Sequence, residues 1–265
     1  MRVVVCAKEV LDPDAVNNFA LEGRLQIGED GKTLTQTAIP RLMNAYDEQA
    51  IEAVLRLRDA GLDCTLTVVS VAPKGIDHLK HALSMGANEV VNIAVGEGDL
   101  DCQAVARLIA AYIERTGGAD LVLCGRQASD DDQGVVPAVL GELLAMPVVT
   151  VACAVEHHDG SIRVTRVTPE GEEIVEVRCP AIVTVSNELG TPRYPTMQAK
   201  LKARKQQPTV VKAEDLVGVA DLAPRVRMTK QFVPTVRGEC EFIEVGGVAE
   251  QAAALVARLR AENVL

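Results

Sequence analysis

Four short apolar runs recur through the first half of the chain, each followed by a helix-length or turn-like segment. They are RVVVCA at 2–7, CTLTVVSV at 64–71, residues 89–95, and ADLVLC at 119–124. Runs of this length, rich in Val, Leu and Ile and bounded by turn residues, read as buried strands. The segments between them carry helical periodicity. Residues 46–60 place Ala50, Ile51, Val54 and Leu55 on one face and stop at Gly61. Residues 75–85 stop at Gly86, and 101–115 align Val105, Leu108, Ile109 and Tyr112. The rhythm predicts βαβ crossovers, hence an α/β fold with a mainly parallel sheet and helices on both faces. Ligands of such sheets sit beyond the carboxyl ends of the strands, near a reversal of strand order. That directs attention to Cys6–Asp12, Ser70–Lys74 and Gly125–Pro137.

Elsewhere the pattern changes. Glu29-Asp30-Gly31 predicts a hairpin within 24–35. After Pro147, strands at 148–155, 161–168, 173–178 and 181–185 are separated by turns, which predicts an antiparallel excursion returning to the main sheet. Residues 207–240 show little periodicity and several prolines, and read as an arm that needs another surface; a last helix is expected at 247–261. The domain reading is therefore 1–206 as a nucleotide-binding α/β domain, with a distinctive loop at about 187–206, followed by 207–265 as a C-terminal arm and helix.

Charge and aromatic content exclude one class of function. The chain carries 27 basic and 37 acidic residues, with no Trp, three Tyr and three Phe. A nucleic-acid binder needs a cationic field and stacking rings, and neither is present. No apolar run approaches the ~18 residues of a membrane span. The seven scattered cysteines contain no C-x-x-C pair, which argues against a zinc or iron–sulfur site and suits reduced thiols in a cytoplasmic protein. No G-x-S-x-G, complete P-loop or G-x-G-x-x-G occurs.

The strongest local signal is Gly125-Arg126-Gln127-Ala128-Ser129-Asp130-Asp131-Asp132-Gln133-Gly134-Val135-Val136-Pro137, which leaves a strand and enters a helix. The open N–H groups and positive dipole of a helix start suit a phosphate. Plain helix capping by the aspartates is an equal reading, and a Mg²⁺ site ranks behind both because such ions normally bring a phosphate partner. His78 and His81 are three apart on a helix, where a solvated face is the expectation. Asp12-Pro13-Asp14 reads as a ligand-facing loop or a plain turn. The segment Pro192–Lys205 gathers five basic residues and no acid. A helix from about Thr196 would put Met197 and Leu201 on one side of a basic face, suited to an acidic partner or simply solvated.

Taken together, VVVCAKEVLDPD, LMNAYDEQAIEAVLRL, TVVSVAPKGIDHLKHALSMGANEVVNI, DLVLCGRQASDDDQG and CPAIVTVSNELGTPRYPTMQAKLKARKQ resemble the β subunit of electron-transfer flavoproteins along essentially the whole chain. The resemblance implies an adenine nucleotide hydrolase-like α/β domain and an α-subunit partner carrying redox-active FAD. It implies an electron carrier rather than a catalyst on its own, shuttling electrons from acyl-CoA dehydrogenases of fatty acid oxidation, or other dehydrogenases, to an acceptor such as a quinone oxidoreductase. The β subunit then encloses AMP, or a second FAD in the electron-bifurcating branch; the competing class is a stand-alone nucleotide-binding protein of similar fold. By matching, the nucleotide contacts fall on Cys6, on Asn44, Ala45, Tyr46 and Asp47, on Val71, and on Gly125 through Val136. Tyr46 occupies an aromatic position near the α-subunit flavin. The 190s segment matches the family's docking loop, with Met197 as apolar anchor beside Leu201, and with Lys200, Lys202, Arg204 and Lys205 as steering charges. Where the family usually offers Thr or Cys, then Gln, then Thr or Val, this chain has Gln133, Gly134, Val135 and Val136. That leaves mainly backbone N–H groups and Gln133 for a phosphate. Three consecutive aspartates resemble the AMP-binding pattern more than the Asp-Gly-Asp of bifurcating members. No catalytic residue, metal or nucleic acid is implied, and no membrane insertion.

Overall fold

The computed structural model describes all residues except 75, 97–99, 159, 219–221 and 235–239. The described chain forms two compact units, Met1–Gln231 and Phe232–Leu265.

In the first unit the elements run β1 (Arg2–Cys6), β2 (Glu9–Leu11), α1 (Pro13–Leu21), β3 (Arg41–Met43), α2 (Ala45–Asp59), β4 (Thr65–Ala72), α3 (Asp77–Met85), β5 (Glu89–Ala94), α4 (Cys102–Arg115), β6 (Leu121–Gly125) and α5 (Val136–Leu144). They continue with β7 (Val148–His158), β8 (Ser161–Thr168), β9 (Gly171–Arg178), β10 (Ala181–Val185), α6 (Met197–Arg204) and β11 (Thr209–Lys212). The main sheet has the order β11-β5-β4-β1-β6-β10-β7-β8-β9. Pairing is parallel from β11 to β7 and antiparallel from β7 to β9. The α/β, mainly parallel architecture with an antiparallel excursion is thus as the sequence predicts.

Alternation within each strand explains why both faces need cover. Along β1, Val3 and Val5 enter a core under α2 and α3 that also holds Ile51, Leu57, Leu66, Leu79 and Leu123. Val4 and Cys6 enter the opposite core with Leu108, Ile113, Val122 and Leu140 of the α4 and α5 side. Each fully buried Leu or Ile contributes roughly 1.5–3 kcal/mol. From β1 the chain moves outward through β4 and β5, then crosses back under α4 to place β6 on the other flank of β1. The strand order therefore reverses between β1 and β6, and a crevice opens at their carboxyl ends.

Three features depart from the sequence reading. The arm expected from 207 begins with β11, which pairs with β5 through Thr209↔Val91 to Lys212↔Ala94. The first compact unit therefore runs to Gln231. Asp12-Pro13-Asp14 opens a helix instead of forming a plain turn: Asp12 Oδ1 accepts from the N–H of Asp14 at 3.0 Å and of Ala15 at 3.5 Å, capping α1 with Pro13 at its first position. The 24–35 hairpin shrinks to one bridge, Ile27↔Leu34, around an Asp30-Gly31 turn. Within β7, Val151 holds φ 62° at an irregularity in its pairing with β10 and β8. A β-branched residue in that region is strained, and a hydrogen bond from its N–H to Thr184 Oγ1 at 2.9 Å helps hold it.

The second unit contains α7 (Val248–Ala261). Arg258 pairs with Glu241 at 2.9 Å and with Glu262 at 3.8 Å. None of the α7 residues is buried, and Phe232, Phe242 and Leu255 are exposed. Among the described residues, no helix is long and apolar enough to cross a membrane.

Candidate functional site

The carboxyl ends of β1 and β6 meet the start of α2, and three chain segments are tied together there. Gly125, the last residue of β6, allows the contact. A Cβ at this position would lie 2.5 Å from Asp47 Oδ1 and 2.6 Å from the Tyr46 Cβ. Asp47 is buried and accepts two backbone N–H groups, from Gly125 at 3.0 Å and from Lys8 at 2.8 Å. Asn44, also buried, donates from Nδ2 to the Gln127 carbonyl at 2.9 Å and accepts the Ser129 N–H at 3.2 Å. Asn44 and Asp47 thus fix the course of the loop that follows β6. Burial pushes the Asp47 carboxyl up to about 7, against the N–H bonds that favour its charge.

Lys8, just beyond β1, reaches across this loop. Its ammonium lies 2.7 Å from Asp130 and 3.2 Å from Asp131. Burial works against the Lys8 charge, but the two carboxylates outweigh it and raise its pKa. Asp132 adopts φ 51° and accepts from Gln127 Nε2 at 2.8 Å. The aspartate triplet therefore closes its own loop, with all three carboxylates engaged by protein donors. Gly134 follows at φ 61°, where a Cβ would stand 2.7 Å from the Arg126 carbonyl oxygen. The backbone then enters α5. The N–H groups of Gly134, Val135 and Val136 meet no acceptor among the described residues, whereas Gln133 N–H bonds Asp131 at 3.3 Å.

The sequence-predicted nucleotide residues converge on this edge. Cys6 ends β1, Val71 lies near the end of β4, and Asn44 through Asp47 open α2. Arg126 sits 5.9 Å over the Tyr46 ring, donates from its backbone to the Val185 carbonyl at 2.9 Å, and reaches Ser186 Oγ at 3.4 Å. Cys6 and Cys124 are buried free thiols; the Cys6 thiol beside it and burial push the Cys124 thiol well up. Of the other cysteines, Cys240 is exposed and the rest are partly buried.

Sequence reasoning missed Lys8, although a cation directly after the first strand facing an aspartate triplet is a legible signal. It also misplaced His78. Rather than sharing a solvated face with His81, His78 is buried, 2.8 Å from Ser70 Oγ and 3.5 Å from Glu9. Burial lowers its pKa, with Glu9 opposing. His81 instead meets Glu48 at 2.6 Å.

The basic segment stands away from this knot. Thr196 caps α6 by accepting the Ala199 N–H at 3.2 Å. Met197 and Leu201, one turn apart, are 70% and 52% exposed, while Ala203 is buried. Lys202, Arg204 and Lys205 are exposed, but the Lys200 ammonium lies 3.8 Å over the Tyr194 ring.

Comparison with known proteins gives the family. Residues 32–216 match the family model described as electron transfer flavoprotein domain. The chain is 31% identical over 271 residues to the electron transfer flavoprotein subunit beta of Clostridium acetobutylicum, covering all of both chains. It is 30% identical over 272 residues to the caffeyl-CoA reductase-Etf complex subunit CarD of Acetobacterium woodii, again covering both in full. The acryloyl-CoA reductase electron transfer subunit gamma of Anaerotignum propionicum is 28% identical over 278 residues, with the same complete coverage. From the strand order, the loop after β6 and these full-length similarities together, the chain belongs to the electron transfer flavoprotein family, on its β-subunit side.

Proposed function

We propose that this chain is the β subunit of a heterodimeric electron carrier. An α subunit holds the redox-active FAD, and this chain encloses AMP at the edge formed by Cys6, Asn44–Asp47, Val71 and Gly125–Val136. The observation that carries the proposal is the set of three successive N–H groups, Gly134 to Val136, with no protein acceptor. They stand at the start of α5, where the helix dipole favours an anion. They fit a phosphate held by backbone, and the Val side chains there offer no competing hydrogen bond. Asn44 and Asp47 hold the loop in place, and Lys8 offsets the charge of Asp130 and Asp131 near that anion. Bound AMP supplies no redox chemistry; its role here is structural, filling the crevice beside the flavin-facing Tyr46.

Electrons enter from a dehydrogenase, such as an acyl-CoA dehydrogenase, that docks on α6 through Met197 and Leu201, and leave to a downstream acceptor such as a quinone oxidoreductase. Lys202, Arg204 and Lys205 steer the encounter; Lys200, stacked on Tyr194, stiffens the surface as well. The exposed apolar residues of Phe232–Leu265 supply the α-subunit contact.

A second reading has FAD in place of AMP, with bifurcation of electrons. It is favoured by the names of two full-length relatives, which place them with CoA reductases. Asp131, held by Lys8 at 3.2 Å, favours AMP, because its side chain fills space that a glycine would leave open. Mass spectrometry of nucleotides released from the co-expressed heterodimer separates the two. One FAD and one AMP per heterodimer is the expected result; two FAD and no AMP establishes the second reading.

A further inference from the structure

We infer that Arg193 is a positioning residue: it clamps the base of the docking helix onto α2 by gripping the buried carboxylate of Glu52, and so sets the angle at which Met197 and Leu201 meet the electron donor. The inference rests on the docking role proposed for α6.

The geometry is that of a built joint. Glu52 lies in the middle of α2 and is 4% exposed. Arg193 donates to it three times, from its backbone N–H at 3.1 Å, from Nε at 2.8 Å and from Nη2 at 3.2 Å. The same guanidinium reaches Asp59 at 2.7 Å. Arg56 completes the joint: its Nε binds Glu52 at 3.1 Å and its Nη1 binds the Leu189 carbonyl at 2.7 Å. Glu52, Arg56 and Asp59 are spaced by four and three, so they form one stripe along α2. That stripe is polar yet engaged along its length by the segment leading into α6. Two forked cations around one carboxylate fix direction as well as distance, which a lone lysine contact does not.

Burial works against the Glu52 charge, but the Arg193 and Arg56 bonds outweigh it and hold the carboxyl below its usual range. The joint is therefore ionised throughout the neutral range. One side of α6 packs on α3 around the buried Ala203, and the Arg193 joint holds the chain that enters its first turn, next to Met197. An exposed anchor whose base swings freely pays an orientation cost at each encounter, and removing that freedom raises affinity without adding a contact.

The test uses the co-expressed heterodimer with Arg193→Ala, Arg193→Lys, Glu52→Gln and Met197→Ala. Flavin reduction by a substrate-reduced acyl-CoA dehydrogenase or CoA reductase that reduces the wild type is followed by stopped flow as donor concentration is varied. Arg193→Ala is expected to raise the half-saturating donor concentration about tenfold. The limiting rate, AMP and FAD content, and the slope of rate against ionic strength should be unchanged. Arg193→Lys, keeping the charge without the fork, should recover only part of the loss, and tryptic cleavage within 196–205 should quicken in step. Glu52→Gln serves the same comparison if Arg193→Ala does not accumulate. If Met197→Ala weakens docking while the Arg193 and Glu52 variants match wild type, the clamp is overturned and the docking role stands. If Met197→Ala also matches wild type, the docking role itself fails, and the clamp with it.

Discussion

The two candidate functional regions of the first unit are built by opposite means. The loop after β6 is fixed from inside: buried Asn44 and Asp47 take its backbone groups as partners, and Gly125 lets α2 press against it. The proposed docking helix is held on one side by α3 and at its start by Arg193, and leaves its apolar residues Met197 and Leu201 in water. The contrast follows from what each must do. A site for a resident small molecule gains from preorganisation, because bonds already made to the protein need not form on binding. A transient docking surface must remain open, and its anchors have to be exposed before the partner arrives.

That contrast is sharpest in stability, and the largest effect should come from Gly125→Val. Its side chain has no room against Asp47 and Tyr46, so a loss of more than about 3 kcal/mol is expected in chemical denaturation, with loss of bound nucleotide. Near-wild-type stability in this variant would show that the start of α2 yields easily, and the contrast would collapse.

Asp47→Asn should cost about 2 kcal/mol, because an amide can accept one of the two N–H groups but turns its own NH₂ toward the other. The cost should depend on pH in a defined direction. Asp47 is shifted up to about 7 in the folded chain, from 3.8. The folded state therefore holds that proton more tightly. Its contribution is full below about pH 4 and is lost as pH rises toward 7, at no more than about 1.4 kcal/mol per pH unit. The penalty of Asp47→Asn relative to wild type should accordingly be greatest at about pH 4 and shrink steadily as pH rises to about 7. A penalty that grows with pH would mark Asp47 as an ordinary ionised carboxylate.

Met197→Ala probes the open side. Donor binding should weaken by about 1–2 kcal/mol, while the unfolding midpoint hardly moves, because the side chain is 70% exposed. Lys202→Glu should give the smallest effect: a few-fold slower association with a flatter salt dependence, and unchanged dissociation. Equal effects on association and dissociation would make Lys202 a contact residue instead of a steering charge.

Legibility in the sequence divides along similar lines. β1, β4, β5, β6, α2 and α4 were readable because burial on one or both faces imposes a period on the residues. α1 was not, since none of its residues is buried, and its only marks are a capping Asp12 and Pro13. β11 has no fully buried residue, so nothing in Thr209–Lys212 separates an edge strand from loop. For the site, Gly125–Val136 stood out through its glycines and aspartates. The tie from Asp47 to Gly125 spans 78 residues, and such a contact leaves no local trace. The Glu52 stripe of α2 reads as a solvated helix face until the segment at 189–193 is laid against it. His78 looked solvated for the same reason, because Ser70, its partner, lies on another element.

The strand order also bears on how the chain is made. β10 separates β6 from β7, yet it is synthesised after β7, β8 and β9. While the chain leaves the ribosome, the antiparallel meander is complete before the strand that joins it to the nucleotide-binding half exists. Throughout that interval β6 and β7 each present an open parallel edge, and the apolar side chains Val122, Leu123 and Val149 beside them await the cover that comes with Ala181–Val185. Unpaired edges of this kind invite pairing with neighbouring nascent chains.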